Sequence, residues 1–99
     1  MIQNIFLLSH QDDEMGVFNH IEKIIKDNQN ITIFYLTNGS IKKRIDPNLI
    51  FRRDFESLKV LYNLGVKKDN IIFLGRKLEV NVYELHENLE KTYDYIINF

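Results

Sequence analysis

Cysteine is absent from the 99-residue chain, which excludes disulfide frameworks, thiolate metal sites and cysteine nucleophiles. Net charge is nearly absent too: 13 basic and 14 acidic residues leave −1, without the clustered positive surface that phosphate backbones require, so nucleic acid is not expected as a partner. No apolar run approaches the ~20 residues that span a bilayer, and Met1-Ile2-Gln3-Asn4-Ile5 lacks the basic region of a secretory signal. With no cysteine, this pattern fits a cytoplasmic protein. Proline occurs once, and alanine not at all; the latter reads as compositional bias without functional meaning. The length is that of one small domain, which buries only about two-thirds of its unfolded surface.

What is present alternates between two periodicities. Ile5-Phe6-Leu7-Leu8 is a continuous apolar run, the pattern of a strand buried on both faces. Residues 15 to 27 have helical spacing, with Val17, Phe18, Ile21, Ile24 and Ile25 on one face and Glu22, Lys23 and Lys26 outside it. Ile31-Thr32-Ile33-Phe34-Tyr35-Leu36 is rich in β-branched and aromatic residues and predicts a second strand. A polar loop opens at Thr37-Asn38-Gly39-Ser40 and runs to Asp46, which precedes the single proline, Pro47, in the arrangement of an N-cap with proline at the first helical position. Phe51, Phe55, Leu58 and Tyr62 mark a helical face, and Gly65 a stop. Ile71-Ile72-Phe73-Leu74 predicts a third strand ended by Gly75. Asn81 with Glu84 has the form of a capping box, opening a last helix striped by Leu85, Leu89, Tyr93 and Ile96.

The order β-α-β-α-β-α predicts an α/β fold: a Rossmann-like parallel sheet with right-handed crossovers and helices on both faces. The first strand of such sheets is usually central and wants neighbours on both sides. Three strands would leave one of its edges unpaired, so residues 1–99 are expected to form a single, incomplete domain, the N-terminal half of a larger one.

Ligands of open parallel sheets bind at the carboxyl ends of the strands. There the first strand leads into Ser9-His10-Gln11-Asp12-Asp13-Glu14, an imidazole with three carboxylates. His10 and Asp13 could both ligate a borderline metal such as zinc, leaving Asp12 free to take a proton from a metal-bound water. Acidic residues also favour the first turn of any helix, and a histidine at a strand end needs no metal. It is the placement of His10 just before the acidic pair, at this edge, that favours a site.

This hexapeptide resembles the His-Pro-Asp-Asp-Glu signature of the PIG-L/LmbE family of zinc-dependent de-N-acetylases. Leu36-Thr37-Asn38-Gly39 looks like the family's Leu-Thr-(Asp/Asn)-Gly, Arg53-Asp54-Phe55-Glu56 like its Arg-x-x-Glu, and Leu64-Gly65-Val66 and Phe73-Leu74-Gly75 like the segments that follow. The likeness covers nearly all of the chain in order. It implies a Zn²⁺ cofactor held by His10 and Asp13, with Asp12 as catalytic base and Glu14 bracing the turn. Arg53, Thr37 and Asn38 would bind substrate. The implied reaction removes an N-acetyl group from an N-acetylglucosamine-type sugar conjugate, giving acetate and a free amine. Without the resemblance, Arg53-Glu56 is a surface i, i+3 pair and Thr37-Asn38 a turn.

Three departures bear on these expectations. Gln11 replaces the usual proline and should loosen the turn. The Asp-Gly often found after the third strand is missing from Arg76-Lys77-Leu78-Glu79-Val80-Asn81. The third zinc ligand implied by the resemblance, in a His-x-x-His segment, has no counterpart; His20 and His86 do not match it and are expected to be solvated or partly packed. Two ligands predict weak metal binding and no useful catalysis by this chain alone. The alternatives are a truncated, non-catalytic binding or assembly module of the same fold, whose sheet edge could pair in an oligomer, and a receiver-like Mg²⁺ site. The latter also needs a carboxylate where Leu74-Gly75 stands.

Overall fold

A computed structural model describes residues 3–40 and 46–99. The segment 41–45 of the expected polar loop, and the first two residues, lie outside the described residues. Three parallel strands form one sheet in the order β1-β2-β3: β1 Gln3–Leu8, β2 Asn30–Tyr35 and β3 Ile71–Ile72. Six residue pairs join β1 to β2, from Gln3↔Asn30 to Leu8↔Tyr35. Only Ile33↔Ile71 and Phe34↔Ile72 join β2 to β3. The chain is therefore α/β with a small parallel sheet.

Period-2 alternation along β2 determines which helices cover which face. Ile31, Ile33 and Tyr35 point to the face where Ile21, Ile24 and Ile25 of α1 (Phe18–Lys26) meet Leu58 and Leu61 of α2 (Pro47–Leu64), in the main core cluster. Phe34 points the other way, and its ring meets Phe99 edge-on, with centroids 5.2 Å apart, just past the end of α4 (Leu89–Ile97). Two crossovers of one hand, each stepping the same way across a sheet, put both helices on one face, and α1 and α2 share theirs.

Four expectations need correction. First, β1 is not buried on both faces: Ile5 and Leu7 are 53% and 54% exposed, and among the described residues β1 has a strand neighbour on one side only, β2. The central strand is β2. Second, the helix expected over 15–27 begins as a 3-10 turn, Asp13–Val17, and becomes α-helical only at Phe18. Third, the strand expected over 71–74 stops at Ile72, and a short helix α3, Leu74–Lys77, follows. Gly75 lets that helix press on the loop after β2: a Cβ there would stand 2.1 Å from the Thr37 carbonyl carbon. Fourth, Asn81 caps a turn and not a helix; its Oδ1 accepts from the amides of Tyr83 and Glu84, a 3-10 turn follows at Leu85–Glu87, and α4 starts at Leu89.

Both ends of α2 match the sequence. Asp46 Oδ1 accepts from Asn48 N at 3.0 Å, Pro47 occupies the first turn, and Gly65 closes the helix at φ 106°. Its orientation does not match. Phe51 and Phe55 are 62% and 55% exposed, and the buried stripe is Ile50, Asp54, Ser57 and Leu61. The helix has turned its aromatic residues outward and put two polar side chains inside. The reason lies in what those polar groups hold.

Candidate functional site at the end of the first strand

Parallel pairing continues beyond the strands. Leu36 N donates to Leu8 O at 2.8 Å, Thr37 N to Ser9 O at 2.9 Å, and the Thr37 hydroxyl donates to the same carbonyl at 2.8 Å. These bonds pin the start of the acidic turn to the end of β2. Within the turn, His10 N donates to Asp13 Oδ2 at 3.0 Å and Asp13 N to His10 O at 3.3 Å. The two expected ligands are thus neighbours, with His10 Nδ1 3.8 Å from Asp13 Oδ1 and both side chains partly open to solvent. His10 Nδ1 also lies 2.7 Å from Gln11 O. A carbonyl oxygen only accepts, so Nδ1 is the donor in this contact.

Asp12 sits at φ 74°, in the left-handed region that aspartate tolerates better than most residues. Although it occupies the N-cap of the 3-10 turn, its carboxylate makes no capping bond, and the residue is exposed. Its backbone amide is within 3.4 Å of Ser57 Oγ, on the inner face of α2. The carboxylate expected to act as base is the one that the turn leaves uncommitted.

Glu14 is buried, and its Oε2 accepts from the Tyr35 hydroxyl at 2.8 Å. Tyr35 stacks on Phe73 with ring centroids 5.1 Å apart. Burial first, and the nearby Glu14 charge second, push the Tyr35 phenol well above its ordinary range. This pair ties the helical end of the turn to β2, within the sheet core.

Gln11 does not loosen the turn. It is buried, and its Nε2 donates to Asn38 O at 3.1 Å and to Asp54 Oδ1 at 2.5 Å. Its side chain fills the space above Gly39, where a Cβ would stand 2.2 Å from Gln11 Oε1. Asp54 is only 3% exposed. Arg76 Nε lies 3.2 Å from its Oδ2, but no hydrogen bond of good alignment reaches that oxygen, so the pair is electrostatic. Burial raises the Asp54 pKa, with Gln11 and Arg76 acting against it.

The expected substrate contacts are placed unevenly. Thr37 is buried and spends its hydroxyl on Ser9 O and the Gly39 amide. Asn38 Oδ1 accepts from Ser40 N at 2.9 Å, while Asn38 N donates to Val80 O. Asn38 also lines a cleft of about 470 Å³ with Pro47, Ile50, Phe51, Arg76 and Glu79. Arg53 is exposed and reaches Gly39 O at 3.4 Å. His20 is exposed on α1, and His86 lies 3.7 Å from Glu87.

Among the described residues, no group of three or more His, Asp or Glu side chains is placed to hold one metal ion. His10 and Asp13, of residue types that zinc accepts, are neighbours on the turn, and no third such side chain among the described residues joins them. Gln11, Asp54, Ser57 and Arg76 were not legible as site residues. The available signal was polar residues at 54 and 57 on the same helical stripe as Ile50 and Leu61, masked by the more conspicuous aromatic spacing. No helix among the described residues is long and apolar enough to cross a membrane. No family model, curated protein or solved structure matches the chain.

Proposed function

We propose that this chain carries the His-Asp-Asp part of a zinc-dependent N-deacetylase site on a Rossmann-like frame. The observation that carries the reading is the division of labour in the acidic turn. His10 and Asp13 are paired, Glu14 is buried on Tyr35, and Asp12 stays exposed, its carboxylate making no capping bond and no hydrogen bond among the described residues. A turn made only to start a helix has no need of that division; its first acidic residue would cap. The Rossmann-like frame is supported by the sheet order, with α1 and α2 on one face and the chain passing to the other face after β3. That places the turn at the carboxyl end of β1, where such sheets bind ligands.

In this reading His10, through Nε2, and Asp13 would hold the zinc. When bound, the ion would polarise an acetamide carbonyl and acidify water. Asp12 takes a proton from the attacking water and returns it to the leaving amine. Arg53, at the mouth of the turn, would contact substrate hydroxyls, and Asn38 would shape the adjoining cleft. The products are acetate and the free amine of an N-acetylglucosamine-type sugar, in a cytoplasmic setting. With two ligands, the 99-residue chain binds zinc weakly and turns over poorly.

The test is competition for Zn²⁺ and Mg²⁺ against a chromophoric chelator, with acetate release measured in parallel. Preference for Zn²⁺, lost in H10A and in D13A but kept in D12N, supports the reading. Equal or stronger binding of Mg²⁺, or zinc affinity unchanged in H10A, sinks it. Any acetate release should be abolished by D12N.

A second reading is favoured by one observation: among the described residues no strand pairs with the outer edge of β1, and Ile5 and Leu7 expose their side chains. Such a strand suits a non-catalytic binding or assembly module, which would associate with rising concentration and take up no metal. The receiver-like Mg²⁺ alternative is weakened by Leu74, which opens α3 without offering a carboxylate at the end of β3.

A further inference from the structure

The network behind the acidic turn has a direction. Arg76 of α3 lies against Asp54 of α2, Asp54 accepts from the Gln11 side chain, and the Gln11 backbone carbonyl accepts from His10 Nδ1. We infer that Asp54 and Gln11 are positioning residues that set the tautomer of His10: the buried Asp54 carboxylate holds the Gln11 amide, which holds the Gln11 carbonyl against Nδ1 and leaves Nε2 free as a donor atom.

Several features make this more than a packing contact. Gln11 donates twice, to Asn38 O and Asp54 Oδ1, so its side chain is held from both the β2 loop and α2. Gly39 lacks the Cβ that would collide with Gln11 Oε1, so the loop is built around this side chain. Asp54 is kept inside a helix face that could have been apolar, although burying a carboxylate costs several kcal/mol unless it is paired. Arg76 supplies the pairing charge, and its guanidinium also lies 5.5 Å from the centre of the Phe73 ring and 5.8 Å from that of Phe51. A histidine that ligates through one nitrogen commonly donates its other N–H to a carbonyl or carboxylate, which fixes ring orientation and tautomer. Here the Gln11 carbonyl does so, and its own placement depends on Asp54. Asp13 Oδ1, 3.8 Å from Nδ1, reinforces the same tautomer without bonding to it.

The inference deepens the proposed function and rests on it for its purpose, but its test reads no turnover. Ring ¹H–¹⁵N correlation of His10 in the 99-residue protein, recorded in alkaline buffer, reports which nitrogen carries the proton. Wild type should show Nδ1–H as the dominant form. Q11M fills the same space without the amide, and D54A removes its acceptor. Each should shift the Nδ1–H to Nε2–H ratio roughly tenfold towards Nε2–H, the shift that one ordinary hydrogen bond sustains. D54N keeps an oxygen for Gln11 and should retain the wild-type ratio. The Q11M/D54A double variant should shift no further than either single one. If D54A fails to fold, Q11M against wild type carries the result. A wild-type ratio in Q11M, or a D54N ratio equal to that of D54A, overturns the inference. Absence of zinc preference or acetate release would count against the deacetylase reading alone.

Discussion

Helices α1 and α2 cross the same face of the same sheet, yet only α1 obeys its hydrophobic pattern. In α1, Ile21, Ile24 and Ile25 turn to the core, as their spacing demands. In α2 the equivalent aromatic stripe faces out, and Asp54 and Ser57 face in between Ile50 and Leu61. The difference lies in what each helix meets. Helix α1 packs against the apolar side chains of β1 and β2, whereas α2 also covers the acidic turn, whose amide groups and Gln11 side chain need polar partners. Asp54 and Ser57 supply them. A helix next to a polar turn can thus give up apolar burial at a few positions to satisfy backbone and side-chain donors there.

The largest effect that would break this contrast is at Leu61. It is fully buried in the main cluster, so Leu61→Ala should cost about 2–5 kcal/mol and match Ile21→Ala on α1 in denaturant unfolding. A loss much smaller than that of Ile21→Ala would mean that α2 is not held by its apolar ends. Next is Tyr35→Phe, which leaves the buried Glu14 carboxylate without its donor and should cost about 1–3 kcal/mol near neutral pH. It also has a pH signature. The folded-state pKa of Tyr35 is raised above the unfolded value, so the unfolded phenol ionises first. The stability this provides is present in full below about pH 10 and is lost as pH rises from there towards the folded value. Stability measured in alkaline buffers should fall less steeply for Tyr35→Phe than for wild type; parallel slopes would contradict the Glu14 contact. The smallest effect is expected on the outer face. Phe55→Ser should change stability by no more than about 0.5 kcal/mol, and a loss comparable to that of Leu61→Ala would show that the aromatic stripe is covered in solution.

The ends of α2 were legible because capping is local. Asp46, Pro47 and Gly65 act within one turn of chain, and nothing elsewhere competes with them. The turn Ser9-His10-Gln11-Asp12-Asp13-Glu14 was legible as a cluster for the same reason: adjacent residues stay adjacent. The rotation of α2 was not legible, since Phe51, Phe55 and Tyr62 form as good a stripe as Ile50 and Leu61, and only the polar needs of the neighbouring turn choose between them. The role of Gln11 was inverted. As a replacement for proline it suggested looseness, but partners at 38 and 54 make it an anchor. The early end of β3 likewise depends on a contact distant in sequence, the close approach of Gly75 to Thr37.

The sequence by itself determined the alternation of strands and helices, the parallel α/β class and the gathering of His10, Asp12 and Asp13 on one turn, because period, caps and proximity along the chain are local properties. Tertiary structure decided that β2 and not β1 is central, which face of α2 is buried, and which acidic residue stays free. Those outcomes rest on donors and acceptors brought together across 27 and 43 residues of chain, and such a pairing has no energy until the sheet and helices have closed around it.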